Sequence, residues 1–181
     1  MSLQTGLSLR LAQPADVPAL RALMAASIGA LMDAFLTPAQ VAASHEIMGL
    51  DTQLIDDGTY FIAELDGALA GSGGWSRRAT LFGGNHTAGR SDALLTPGVD
   101  RARVRAMYTA PSAARRGVGR AILAAAEAAA RAEGFTAVEL AATLAGEPLY
   151  RACGYAPELA FDEMTSGGVA VPLIRMVKPL T

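Results

Sequence analysis

Arg115, Arg116 and Arg120 surround Gly117 and Gly119 in the run Ala113-Ala114-Arg115-Arg116-Gly117-Val118-Gly119-Arg120, the most chemically specific stretch of the sequence. Glycines remove side chains, so a ligand can approach the backbone closely. A helix beginning here leaves its first N–H groups without partners and adds the positive end of its dipole. Guanidinium groups contribute permanent charge and forked donors that match phosphate oxygens. Such a loop suits a pyrophosphate. Further along, Tyr150 offers a phenol with an ordinary pKa of about 10, able to hydrogen-bond or donate a proton to a nearby anion. Cys153 is the single cysteine. No local base marks it as a nucleophile, and it reads as a small core residue beside Gly154. One cysteine allows neither an internal disulfide nor a thiolate cluster for zinc.

The elements around the loop follow from periodicity. Arg103 to Thr109 alternates, with Val104, Ala106 and Tyr108 on one face of a strand that Pro111 and Ser112 stop. After the glycines, Val118, Ile122, Ala126 and Ala129 form an apolar helical stripe, with Arg120, Glu127 and Arg131 on a polar one. Gly134 stands where a helix C-terminal cap is expected. Two well-known phosphate loops fit poorly. The chain has only one lysine, Lys178, so it lacks a Walker loop. A dinucleotide fingerprint would need a small residue at Ile122 and glycines in a tight turn directly after the strand; it remains a minor alternative, with Glu139 at a distance suited to a ribose contact.

Ala114-Arg115-Arg116-Gly117-Val118-Gly119 resembles the Gln/Arg-x-x-Gly-x-Gly/Ala loop of the GNAT superfamily of N-acetyltransferases, with alanine in the first position. The strand Ala137–Thr143 and the run Gly146-Glu147-Pro148-Leu149-Tyr150-Arg151-Ala152-Cys153-Gly154-Tyr155 resemble the family's final signature, with Thr143 where many members carry asparagine. The resemblance covers roughly residues 103–155. It implies an α+β (mixed α/β) fold, with a central mixed sheet splayed between the two strands that flank the glycine-loop helix and helices on both faces. It also implies transfer of an acetyl group from acetyl-CoA to a primary amine. The pyrophosphate would lie over Arg115, Arg116, Gly117, Val118, Gly119 and Arg120. The pantetheine arm would lie in the splay near Met107, Tyr108, Thr109 and Thr143. A backbone N–H of the first splayed strand would polarise the thioester oxygen, and Tyr150 would act as general acid toward the departing thiolate. The family's usual strand carboxylate falls at Arg103. Glu64, His86 or a water are the remaining candidates for the base, and Glu139 reads as a solvated strand residue. Arg103 also keeps open a non-catalytic acyl-CoA sensor. A homodimer is possible on the family's precedent alone.

The rest of the chain supplies a frame. Its 181 residues, 51% hydrophobic and 18% charged, suit a single domain over 1–181 with no membrane span. Met1 to Arg10 lacks a secretion pattern, so a cytoplasmic protein is expected. Leu7–Leu11 reads as a strand, Asp16 as the cap of a first helix and Thr37-Pro38 as the start of a second that runs to about Met48. Thr59–Leu65 and Ala68–Trp75 form a hairpin through Asp66-Gly67, where Gly71, Gly73 and Gly74 suggest a bulge or close backbone approach. Residues 77–100 lack periodicity and are expected to border the acceptor site. Leu159–Met164 and Val169–Met176 form a closing hairpin, with Pro172 pushing the second strand toward an edge or bulge.

Charge is unevenly placed. Residues 1–70 carry a net −6 and residues 71–181 a net +4, and six arginines with no acid lie within 101–120. In the resembled family the early helices help form the acceptor side, which implies a cationic acceptor for the acidic half; a solvated acidic surface accounts for it equally well. Nucleic acid is not expected as a partner, because aromatic residues are sparse near the basic stretch.

Overall fold

The computed structural model describes residues 6–181. Seven strands form one sheet in the order β1-β2-β3-β4-β5-β7-β6. They are β1 (Leu7–Leu11), β2 (Tyr60–Leu65), β3 (Ala68–Ser76), β4 (Ala102–Thr109), β5 (Ala137–Thr143), β6 (Ala156–Met164) and β7 (Ala170–Pro179). Every neighbouring pair is antiparallel except β4 and β5. Those two are joined by a crossover helix and pair only at Ala102 with Val138 and Arg103 with Glu139. Beyond these residues they part. The expected mixed, splayed sheet is present.

The helices are α1 (Val17–Leu31), α2 (Pro38–Ile47), α3 (Gln53–Asp56), α4 (Val118–Ala132) and α5 (Glu147–Ala152). The α1 residues Leu20, Leu23, Met24 and Ile28 pack in one core cluster with Tyr60, Ile62 and Tyr108. On the opposite face, Leu123, Ala126 and Ala130 of α4 pack with Trp75, Val104 and Leu140. Thr37 caps α2 through its side chain, which accepts from the Gln40 N–H at 3.3 Å. Asp16, expected to cap α1, instead closes the short 3-10 turn before it by accepting from the Gln13 N–H at 2.8 Å. The four-residue α3 is too short to leave a periodic signal in the sequence.

The glycines of β3 permit close approach. A Cβ on Gly71 would lie 2.6 Å from Val118 Cγ1 and 2.9 Å from the Tyr108 carbonyl oxygen, and one on Gly73 would lie 2.3 Å from Met107 Sδ. Opposite Gly73, β4 carries a bulge. The register steps from Ser72–Tyr108 to Gly74–Arg105, so Ala106 and Met107 together face one residue, and Ala106 has φ of 52°. This corrects the simple alternation. Val104 packs on the α4 face, whereas Ala106 and Tyr108 pack on the α1 face.

Three further expectations change. β7 is not an edge strand; it lies between β5 and β6, and Pro172 pairs only with β6, one step past the last residue joined to β5. Glu127 is buried rather than solvated, accepting from the Tyr155 hydroxyl at 3.0 Å and from Lys178 at 2.6 Å. Glu139 is also buried and paired with Arg103 and Arg101. Residues 77–100 are irregular but tied down: Arg78 binds Asp57, Arg90 binds Asp51, and the Thr80 N–H donates to the Ser91 carbonyl at 3.1 Å.

Candidate active site

The residues before α4 turn the chain sharply, with φ of 62° at Arg115 and 76° at Gly117. Glycine at the second position takes the left-handed conformation without a steric penalty. No side chain caps the helix, and the first amide to find a carbonyl is that of Ala121, which donates to Gly117 O at 3.0 Å. The N–H groups of Gly117, Val118, Gly119 and Arg120 have no acceptor among the described residues. Their residues line a cleft of about 720 Å³ that runs to the last turn of α1. Unpartnered amides, a helix dipole and the adjoining Arg115 and Arg120 suit a diphosphate.

Of the other sequence-predicted coenzyme residues, Met107, Tyr108, Thr109 and Thr143 line the same cleft. Arg116 does not. Its half-exposed side chain turns toward Asp66, 3.8 Å away. The Thr143 hydroxyl and carbonyl both accept from the Gly146 N–H at 3.1 Å, fixing the turn into α5.

The cleft meets a smaller cavity of about 110 Å³ at a neck lined by Met48, Met107, Tyr108, Thr143, Gly146 and Tyr150. α5 presents Tyr150 there, its ring edge-on to Tyr155 at 5.8 Å. Burial raises the Tyr150 phenol above its ordinary pKa, and no protein group hydrogen-bonds its hydroxyl among the described residues. It therefore stays protonated at neutral pH and is free to serve a ligand. Tyr108, also in the neck, is pushed up to about 12 by burial, and its hydroxyl accepts from the Gly49 N–H at 2.9 Å. The Tyr60 hydroxyl donates to the Ala106 carbonyl at 2.8 Å and lies 2.9 Å from Ser72 Oγ, which clamps the bulge that shapes this wall.

Neither side chain put forward as the base, Glu64 or His86, lines a cavity, nor does Arg103 at the position of the family's carboxylate. Glu64 is bound to Arg10 at 3.0 Å, the His86 Nε2 sits 2.8 Å from the His45 carbonyl oxygen, and Arg103 is paired with Glu139. Among the described residues, neither lining contains an aspartate, a glutamate or a histidine. Leu81, Phe82 and Gly83 bring the irregular segment to the smaller cavity. Cys153 is half-buried, with its thiol pushed up by desolvation, and lines neither cavity.

Sequence reasoning missed Arg105 and Asp51. Arg105 is 3% exposed and Asp51 1%, and they meet at 3.0 Å. The Arg105 guanidinium also donates to the carbonyls of Gly83 at 2.6 Å and Thr80 at 3.3 Å. A charged residue in a strand next to the site was visible; its partner, distant in sequence, was not.

An N-terminal amide cradle, a splay between parallel strands and a free tyrosine beyond it occur here in the chain order of a known enzyme class. The model of the acetyltransferase (GNAT) family matches residues 28–155. The chain belongs to this family. As a GNAT acetyltransferase it uses acetyl-CoA as acetyl donor. Solved structures share its fold. A GCN5-related N-acetyltransferase of Rhodopseudomonas palustris aligns over 99% of both chains with 21% identity and a TM-score of 0.71. The PaiA N-acetyltransferase of Thermoplasma acidophilum, in complex with coenzyme A, has 13% identity and a TM-score of 0.63 over 96% of this chain and 98% of that one. YncA of Salmonella typhimurium, with acetyl-CoA, has 17% identity and a TM-score of 0.60 over 98% of this chain and 95% of that one. No curated protein sequence matches the acetyltransferase significantly. No helix among the described residues is long and apolar enough to cross a membrane.

Proposed function

We propose that the chain, acting as one domain over residues 1–181, acetylates a primary amine by direct attack on acetyl-CoA, with Tyr150 as the general acid. The observation that carries this reading is the unpartnered Tyr150 hydroxyl at the neck between the amide-lined cleft and the smaller cavity. The amides of Gly117 to Arg120, with Arg115 and Arg120, would hold the diphosphate. The bulge at Ala106 and Met107 would aim strand amides at the thioester, stabilising an oxyanion with fixed dipoles. The amine nitrogen forms the new bond to the acetyl carbon as the carbon–sulfur bond breaks. Tyr150 gives its proton to the thiolate and regains one from solvent. The proton lost by nitrogen passes to water, because among the described residues neither lining contains an aspartate, a glutamate or a histidine.

The test combines two measurements on the intact protein. Coenzyme A should raise the melting temperature, and acetyl-CoA mixed with an amine panel should release free thiol together with acetylated amine. A protein whose melting is indifferent to saturating coenzyme A does not bind it in this cleft, and the proposal fails.

A further inference from the structure

Resting on the transferase reading above, we propose that the acceptor is an apolar primary amine of low basicity with no second charge near its nitrogen, as presented by the α-amino group of an apolar residue in a peptide or amino-acid amide. Three features of the cavity beyond the neck converge on this class.

The first is the absence of a counter-ion for extra positive charge. None of the described acids of residues 1–70 lines either cavity, and most are paired elsewhere. Asp16 and Glu64 hold Arg10, Asp51 holds Arg90 and Arg105, Asp57 holds Arg78, and Glu46 binds Ser166. A cationic acceptor therefore finds no carboxylate in the lining among the described residues. A polyamine or an aminoglycoside would bring its remaining ammonium groups into a cavity that cannot pair them, at a large desolvation cost.

The second is the absence of a free cation for a carboxylate. Arg105 is the only charged residue lining the smaller cavity among the described residues, and it is already bound to Asp51 and to the carbonyls of Gly83 and Thr80. A free amino acid would bury its carboxylate unpaired. Beside a similar share of polar surface, the cavity offers the apolar side chains of Ile47, Met48, Leu81, Phe82 and Leu173.

The third is proton removal. With no aspartate, glutamate or histidine in the lining among the described residues, the rate follows the fraction of acceptor that arrives neutral. An α-amino group with a pKa near 7.7–8.0 is about 300-fold richer in neutral amine at pH 7 than a lysine-like amine near 10.4. The nitrogen attacks the acetyl carbon, the thiolate leaves with the Tyr150 proton, and the surplus amine proton goes to water, so the step balances without a further reactant.

The experiment measures kcat/KM at pH 7 for L-leucinamide, free L-leucine, spermidine and N-α-acetyl-lysine amide, alongside the melting shift with coenzyme A. Leucinamide should exceed spermidine and the lysine derivative by roughly 300-fold and should also exceed leucine. Equal or faster acetylation of spermidine, the lysine side chain or free leucine overturns the proposal. If coenzyme A stabilises the protein but leucinamide is not acetylated, the acceptor class is wrong while the coenzyme site stands. If coenzyme A does not bind, the transferase reading falls and this inference with it. Leu81→Asp, with its coenzyme A melting shift intact, should lower the leucinamide-to-spermidine ratio by about tenfold, the scale of one apolar group lost. Phe82→Ala, a milder change, should raise KM for leucinamide with kcat nearly unchanged. An unaltered selectivity ratio in the first variant or an unaltered KM in the second removes this cavity from the acceptor path.

Discussion

At the scale of the residue, the general-acid role proposed for Tyr150 rests on burial and isolation together. Desolvation keeps the phenol protonated well past neutrality, and the lack of a protein partner leaves the proton for the ligand. Tyr150→Phe should lower kcat by about 10²-fold, the lower end for general acid catalysis, while acetyl-CoA affinity measured by titration changes little. A variant with wild-type turnover rules out the role. The pH profile follows from the same facts. The phenol titrates above its ordinary value, so its ionisation produces no alkaline fall in rate below pH 10. In the absence of a side-chain base, kcat/KM should rise through the pKa of the acceptor and then level off. A limb set by an enzyme group near pH 6–7 would expose a histidine or carboxylate that the cavities do not contain.

Elements place these residues by approaching more closely than side chains usually allow. Gly71 lets the first residue of α4 rest on β3. Gly71→Ala should cost about 1–3 kcal/mol, typical of overpacking, and weaken coenzyme A binding because the helix start moves. A urea titration showing unchanged stability would contradict the contact. At the other end of the sheet, Asp16 joins β1 to the start of α1. The Arg10 guanidinium, 2.8 Å away, holds the Asp16 carboxyl down to about 2 from an ordinary 3.8. A depressed folded-state pKa contributes stability above the unfolded value, and that contribution is lost as pH falls toward the folded one. Asp16→Asn should therefore be less stable than wild type at pH 6, by under about 1 kcal/mol because Arg10 is largely exposed. The gap should close between pH 4 and pH 2, and a gap that persists in acid would mean the ion pair is not its source.

For the whole molecule, the decisive contacts join segments far apart in sequence. Asp51, after α2, is shared between Arg105 on β4 and Arg90 in the irregular segment, so one carboxylate ties three regions around the smaller cavity. Burial pushes Arg105 below the usual arginine pKa, with Asp51 opposing the shift. Asp51→Ala leaves a guanidinium buried without its counter-ion and should cost about 3–5 kcal/mol, read as a lower urea midpoint. Proteolysis should then cut first within residues 77–100. A loss below 1 kcal/mol would show that water reaches Arg105 and that the tie is dispensable.

What the sequence determined alone was local. The strand, glycine loop and helix between Arg103 and Gly134 are legible because alternation, helical spacing, left-handed glycines and uncapped amides are properties of neighbouring residues. The hairpin at Asp66-Gly67 and the cap at Thr37 are legible for the same reason. The strand alternation misassigns Ala106 and Tyr108 because the β4 bulge depends on its partner β3. Glu127 and Glu139 look solvated because Lys178, Tyr155 and Arg103 come to them only in the folded sheet. Composition records how many acids the early residues hold, not what they face. Only tertiary structure decides that, since ion pairing and burial depend on distance in space and the sequence specifies order along the chain.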